Sequence, residues 1–425
     1  FLTTIDISSN NATATMNPSP IPNANISAVT AGPHWYDWTV YPDVVLTLDA
    51  STKSYGVMPN QAYLGCNYRN RCVLSGNPEA PFQWYMARQG MPWDWAYVAN
   101  DSASPVRGGD SDAGELGDII RCLSPYKDDY LTIGDVSSIY YMSGDPYGGT
   151  LNELDLTTGI FGANSWCRGD QGLFYFWGTS GIYVTTIPGI PVCLTVEALP
   201  SIVTDEAVDP STHRICMEYD RKNIGILVTI TLLADGSNSN YWYDIRTKGF
   251  FSETYPDECG VYASFYYNAN DESLSGLLVG CKDGYIRTFD PSKKSDDIGA
   301  SDQAIDANVL LGPQPLTQGI GDGSVGNLNI ISAGGESGGT ITDSDNIDYA
   351  VYVGRSAAKV LESFDAGAAP RFTGTFTAPG LQKKNKTRRK ARGRVAAVKL
   401  SNDTADESIS FERLLIDIAD AGRMM

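Results

Sequence analysis

Histidine is nearly missing from these 425 residues, with only His34 and His213 present. A Ser-His-Asp relay or a histidine-held metal therefore has almost no candidates. The eight cysteines, Cys66, Cys72, Cys122, Cys167, Cys193, Cys216, Cys259 and Cys281, include no CxxC pair, and none stands at ligand spacing from a histidine. A zinc site thus lacks a ligand set. No run of about 18 apolar residues occurs, so no helix is expected to span a bilayer and no membrane insertion is expected. No basic region followed by an apolar core stands near Phe1, so no retained signal peptide is visible.

What is present is aromatic, turn-rich and repetitive. The chain holds 24 Tyr, 13 Phe and 8 Trp beside 43 Gly, a composition suited to pleated surfaces. A pattern of apolar strand, polar turn and aromatic strand returns at Ala62–Ser75, Ile119–Gly144, Ser165–Ile187, His213–Ser252 and Ala263–Asp290. The copies start about 45 to 57 residues apart, the length of one four-stranded propeller blade with its loop. In Gly172–Thr186, Leu173, Tyr175 and Trp177 fall on one face and Phe174 and Phe176 on the other. Neither face is polar, which predicts a strand buried on both sides. Asp170-Gln171-Gly172, Thr179-Ser180-Gly181, Asp235-Gly236 and Asp283-Gly284 mark hairpin turns. The expected fold class is all-β, a β-propeller of about five to seven degenerate four-stranded blades. The cysteines lie mostly inside apolar strands and read as reduced structural thiols, which fits assembly in a cytoplasm.

Composition divides the chain further. Residues 1–33 read as an extended arm, opening on the alternating FLTTIDIS that could add as a strand to another sheet. Blades are expected over 34–290, a Gly/Asp/Ser-rich insertion or irregular blade over 291–345, and final blade strands over 346–425. Strands are expected at Ala307–Leu311, Asn327–Ser332, Tyr349–Gly354, Arg371–Phe376, Val395–Leu400 and Ser408–Ile418. Trp35–Leu48 is expected to pair with one of the C-terminal strands to close the ring of blades.

Charge is unevenly placed. The net charge is −19, and Lys383–Arg394 holds eight basic residues and no acid, so removing its eight positive charges leaves −27 on the rest. Lys383, Lys384, Lys386, Arg388, Arg389, Lys390, Arg392 and Arg394 could form a solvated loop, grip a neighbouring acidic subunit or touch DNA. The acidic body would repel nucleic acid at contact distances, within a Debye length of about 8 Å.

Several segments resemble the β-propeller virion proteins of tailed bacteriophages, in particular the nozzle or tubular proteins of short tails. The motifs are R-N-R at Arg69–Arg71, N-P followed by W-Y-x-A at Asn77–Ala87, and P-W-D-W at Pro92–Trp95. Others are I-G-D-x-x-S-I-Y-x-x-x-G-D-P at Ile133–Pro146, T-G-I-x-G at Thr158–Gly162, and F-E-R-L…G-R at Phe411–Arg423. The resemblance implies a non-catalytic ring subunit, often hexameric, that binds no cofactor and extends the portal and adaptor channel. Other tail proteins and tail fibres would be its partners, and genomic DNA would pass without specific binding. It would be assembled in the host cytoplasm and reside in the virion. A lumen lined by carboxylates offers duplex DNA no counterion-release gain, so the duplex can slide. Asp110, Asp112, Glu115, Asp118, Asp128 and Asp129 are the candidate lining residues, with solvated loops as the plainer reading of each.

The rival expectation is a propeller lectin or glycosidase. Trp84, Tyr85, Trp93, Trp95 and Tyr97, with Asp94 among them, form the densest aromatic cluster, which core packing, subunit contact or sugar binding would each explain. A glycosidase would need two carboxylates converging about 5 to 9.5 Å apart. Gly321-Asp-Gly-Ser-Val-Gly326 matches GxGxxG, but no apolar strand precedes it and no helix-forming run follows. Asp235–Asn240 has oxygen ligands yet lacks the terminal Glu of an EF-hand, and reads as a hairpin tip.

Overall fold

Two hairpins built to one rule show how the chain turns. Asp220 ends one strand and Gly225 begins the next; Asp244 and Gly249 repeat the spacing. In each, the aspartate Oδ1 accepts the N–H groups two and three residues on, at 2.8 and 3.2 Å from Lys222 and Asn223, and at 2.8 and 3.3 Å from Arg246 and Thr247. The residue before the glycine, Ile224 or Lys248, takes φ 55°. Asp135, Asp155, Asp235 and Asp283 hold turns the same way, each by Oδ1 to the backbone two residues on. Much of the acid in this chain therefore serves as a local acceptor for turn N–H groups.

The computed structural model describes residues 46–48, 51–53, 55–97, 102–110, 114, 116–290, 293–298, 302–317, 321–332, 344–377, 380–385 and 391–421. Residues 1–33, the expected arm, lie outside them. The architecture is all-β with a few short helices, and the chain divides into two compact units, Phe1–Ala163 with Thr185–Pro191, and Asn164–Val184 with Val192–Met425.

In the first unit, β1 (Leu46–Leu48) pairs with β2 (Ser51–Lys53). The described end of the expected strand Trp35–Leu48 pairs with its sequence neighbour across a two-residue turn; residues 35–45 lie outside the described residues. Then come β3 (Leu64–Tyr68), β4 (Arg71–Ser75), β5 (Trp84–Met86) and β6 (Val106–Arg107) as one antiparallel sheet in chain order. A second meander follows, β7 (Ile120–Tyr126), β8 (Tyr130–Asp135), β9 (Ile139–Ser143) and β10 (Thr150–Asp155). Tyr68, Val73, Trp84 and Met86 of the first sheet share a core with Ile120, Leu131, Ile133 and Met142 of the second. Apolar side chains facing each other across two sheets remove both faces from water.

The second unit continues the pattern. β11 (Trp166–Arg168), β12 (Phe174–Gly178), β13 (Gly181–Thr185) and β14 (Val192–Cys193) form one sheet. Phe174, Tyr175, Phe176 and Trp177 are all buried, as the absence of a polar face predicts. Two short helices, α1 (Thr195–Ala198) and α2 (Ile202–Glu206), follow. β15 (His213–Asp220), β16 (Gly225–Leu232), β17 (Asn238–Asp244) and β18 (Gly249–Glu253) make the next sheet. The last meander has three strands, β19 (Val261–Tyr267), β20 (Gly276–Cys281) and β21 (Ile286–Thr288). Its Val261, Leu277, Val279 and Cys281 share a core with Cys216 and Leu227. Each repeat copy in the sequence falls on one of these five sheets.

Beyond Asp290 the strand order changes. β22 (Ser295–Asp297) pairs with β23 (Asp302–Ala304). β24 (Ala307–Pro315), β25 (Gly323–Ser332), β26 (Ile347–Gly354), helix α3 (Ala357–Asp365), β27 (Phe372–Phe376), β28 (Gly380–Asn385), β29 (Ala391–Gly393), β30 (Val395–Asn402) and β31 (Phe411–Asp420) follow. The six strands expected here exist, with ends shifted by a few residues. They alternate between a sheet ordered β24-β30-β26-β27 and a second in which β25 pairs with β28, β29 and β31. Leu328 and Ile330 of one meet Tyr349, Val351, Phe376, Val398 and Leu400 of the other in a common core. Within 346–425 the strands therefore interleave across two sheets instead of running as a meander.

Candidate functional site

The predicted acidic residues occupy opposite ends of one hairpin. Asp118 stands just before β7, where its carboxylate accepts from Ile119 N at 2.7 Å and from Ser137 Oγ at 3.2 Å. Asp128 and Asp129 sit exposed on the turn between β7 and β8, with strand lengths of about 20 Å separating the two places. Asp128 Oδ1 accepts from Arg69 N at 3.0 Å, and its carbonyl from Arg69 Nε at 2.9 Å. Asp110 closes a short turn, Gly108–Asp110, while Asp112 and Glu115 lie outside the described residues. The described members thus do not form one patch.

The basic segment is part strand. Lys383 and Lys384 lie on β28 opposite Asn329 and Leu328, and Lys386, Arg388, Arg389 and Lys390 lie outside the described residues. Arg392 and Arg394 approach Asp322 at 3.3 and 4.0 Å. That aspartate belongs to the GxGxxG stretch, which opens strand β25 and no helix, so it offers no helix N-terminus to a pyrophosphate.

The aromatic cluster divides by depth. Trp84 and Trp95 are buried, and Trp84 Nε1 donates to Gly114 O at 3.0 Å. Trp93 is 54% exposed. Tyr85 and Tyr97 lie with ring centroids 6.4 Å apart, and the Arg107 guanidinium stands 5.3 Å from the Tyr97 ring. Asp94 Oδ1 accepts from Ala96 N at 3.1 Å, one more turn carboxylate.

A small polar cleft of about 240 Å³ lies in the first unit, lined by Arg69, Asn70, Arg71, Gln89, Asp128 and Asp145. Arg71 is 1% exposed and donates to the carbonyls of Ala87 (3.0 Å), Ser104 (2.8 Å) and Ser102 (2.6 Å). It fastens the loop between β5 and β6 to β4. Arg69 and Asn70 form the two-residue turn between β3 and β4 with φ 48° and 57°, the left-handed geometry that such a hairpin needs.

Other placed groups are structural in the same sense. His213 Nδ1 lies 3.2 Å from Asp209 N and 2.9 Å from Thr212 Oγ1; His34 lies outside the described residues. Asp235 caps its hairpin tip through Ser237. All eight cysteines are free thiols, and burial pushes Cys66 and Cys216 up to about 12. Among the described residues no cluster of three or more His, Cys, Asp or Glu could hold a metal ion, and no helix is long and apolar enough to cross a membrane.

Three features were not read from the sequence. Glu218, on β15, is half-buried, and desolvation raises its carboxyl to about 7 against the lowering effects of the Tyr219 and Tyr266 backbone N–H groups and Arg221. Glu206 receives Ser239 Oγ at 2.7 Å and the Tyr241 hydroxyl, and Tyr241 is raised to about 12 by burial and by that carboxylate. Both are single carboxyls on separate elements, and local pattern alone carries no mark of their burial. The third unread feature is the exposed apolar face of β19–β21, with Phe265 63% and Ile286 65% exposed.

No protein-family model matches the chain, and no curated protein matches it. Among solved structures it is similar to the extracellular domain of a one-component system from B. thetaiotaomicron, with a TM-score of 0.33 and 13% identity over 65% of this chain. The chain spans only 37% of that neighbour, and likeness at this level says nothing of a shared activity.

Proposed function

We propose that this chain is a structural subunit of a tailed-bacteriophage virion, a nozzle-like or tail-tube protein that forms a homo-oligomeric ring, hexameric by resemblance, around the DNA ejection route. In this reading the five sheets from Leu64 to Thr288 are propeller blades, completed by further strands of the same chain. The observation that carries the reading is what the resembling motifs do. Arg71 of R-N-R clamps three carbonyls, Trp84 and Trp95 fill the core, and Asp135 of I-G-D holds its turn through Ser137 and Ser138. At Gly159 of T-G-I-x-G a Cβ would collide with the Val136 carbonyl. Residues with these duties support a reading in which the resemblance is one of scaffold and not of chemistry.

The mechanism is mechanical and electrostatic. Sheets packed face to face resist bending, because every shift disturbs a close-packed interior. A net charge of −19 per copy offers passing duplex no excess of cationic groups to displace its counterions, so DNA moves without being held. Portal-adaptor proteins above, other tail proteins or fibres below, and a virion location follow from that role, with assembly in the host cytoplasm.

Purified protein examined by light scattering and negative-stain microscopy tests this. The expected result is a closed ring with a central opening that retains no duplex DNA at about 0.15 M salt. A stable monomer that cleaves a bacterial surface polysaccharide would refute it.

A further inference from the structure

We propose that the uncharged outer face and open edge of the β19–β21 sheet receive a neighbouring copy of this chain, whose residues Phe1–Ser8 add as a fourth strand beside β21. The inference rests on the ring reading and names the contact that would build it.

The other four meanders each have four strands, whereas this one ends at β21, which has no partner on its far side among the described residues. The register places Ala263, Gly280 and Ile286 in one row, Phe265, Leu278 and Thr288 in the next, and Tyr267 beside Gly276. Residues in these rows share a face, and that face carries no charge. Phe265 and Ile286 on it are largely exposed, and Tyr285 and Phe289, flanking β21, are 65% and 47% exposed. The opposite face holds Leu277, Val279 and Cys281 in the core. Arg287, the one charge on β21, is paired with Asp283 at 2.6 Å and donates to Asp297 O at 2.9 Å.

An apolar open edge whose one charge, Arg287, is already paired is what soluble sheets ordinarily avoid with lysine, proline or a bulge. Its charge also selects the partner. Copies carrying −19 each repel, so a self-contact forms where carboxylates are missing. The segment FLTTIDIS has the complementary pattern. As a strand it would set Phe1, Thr3, Ile5 and Ile7 on one face, and its single charge, Asp6, on the other. The intervening residues up to 45, about 37 at roughly 3.3 Å each, reach on the order of 120 Å, so the tether does not restrict the donor. Phe265 and Tyr267 lie two strands in from the open edge, about 10 Å away. One added strand leaves them bare, and the body of a second copy covers them.

Site-directed crosslinking tests this. A protein carrying Ile286→Cys is mixed with one carrying Thr3→Cys, Ile5→Cys or Ile7→Cys, and mild oxidation follows. At least one mixture should yield a covalent heterodimer whose linked peptide joins the two substituted positions, while mixtures with the wild-type chain should not. Phe265→Asp and Ile286→Asp, both at exposed positions, should keep the wild-type circular dichroism and melting temperature and weaken self-association at least tenfold in sedimentation velocity. No crosslink in any mixture, linkage only within a chain carrying both cysteines, or unchanged association of the folded aspartate variants overturns the proposal. If rings persist in those cases, the contact lies elsewhere and the ring reading stands; a chain that never associates refutes both.

Discussion

Replacing Arg71 by methionine should loosen the β5–β6 part of its sheet far more than a surface arginine would. The side chain is 1% exposed, and its guanidinium serves the carbonyls of Ala87, Ser102 and Ser104. β6 is only two residues long and pairs with β5 at two positions, so this clamp is a large share of what holds it. Hydrogen bonds from a charged donor contribute roughly 1.5 to 3 kcal/mol each. Three would sum higher, but the arginine's own desolvation and partial rehydration around exposed Ser102 offset part, leaving about 3 to 5 kcal/mol. The two units need not unfold together, so the informative assay is native-state hydrogen exchange of 102–107 rather than one global midpoint. Protection there should fall by about two to four orders of magnitude in Arg71→Met, and by less in Arg71→Lys, which keeps the charge but not the fork. A drop of less than about tenfold in Arg71→Met would refute the clamp.

Glu218 predicts a pH signature. Its carboxyl sits at about 7 in the fold against an ordinary 4.5, so between those values the folded state keeps a proton the unfolded chain has lost. Stability contributed there falls as pH rises, by at most about 3 kcal/mol; Glu218→Gln should flatten the fall in melting temperature across that window, and parallel curves for the two proteins would contradict it. Ile224, a β-branched residue at φ 55° on an exposed turn, should gain about 0.5 to 1 kcal/mol on change to glycine, read as a higher urea midpoint. Asp244→Ala should lower the urea midpoint by removing the acceptor for two turn N–H groups, and an unchanged midpoint would show that the turn does not need it. In native protein at about pH 8, Cys66, Cys167 and Cys216 should resist thiol reagents that label them at once in denaturant, because burial holds all three thiols protonated; rapid native labelling of Cys167 would count against its burial.

The sheets were legible because their information is local. Alternation, Gly-bearing turns and aromatic pairs recur within each copy, and a meander needs only neighbours in sequence. The C-terminal order was not legible, since β24 pairs with β30 and β25 with β31, and strand pairing across about 90 residues leaves no periodic trace. Charge misled at single residues. Arg71 is charged by type yet buried, and Asp135 and Asp220 carry no mark in the sequence of the turns they hold. Nearness in sequence placed Asp118 with Asp128 and Asp129, and it could not show that an extended hairpin holds them at opposite ends. What did carry through was the double-sided burial of Phe174–Trp177, where composition alone excluded a wet face.

Cryo-electron microscopy of a tailed particle containing this chain tests the central claim most directly. The account predicts several copies arranged about the tail axis, their sheets walling a passage wide enough for duplex DNA, about 20 Å across. Density for isolated single copies on the particle surface, or none in the tail at all, would contradict it.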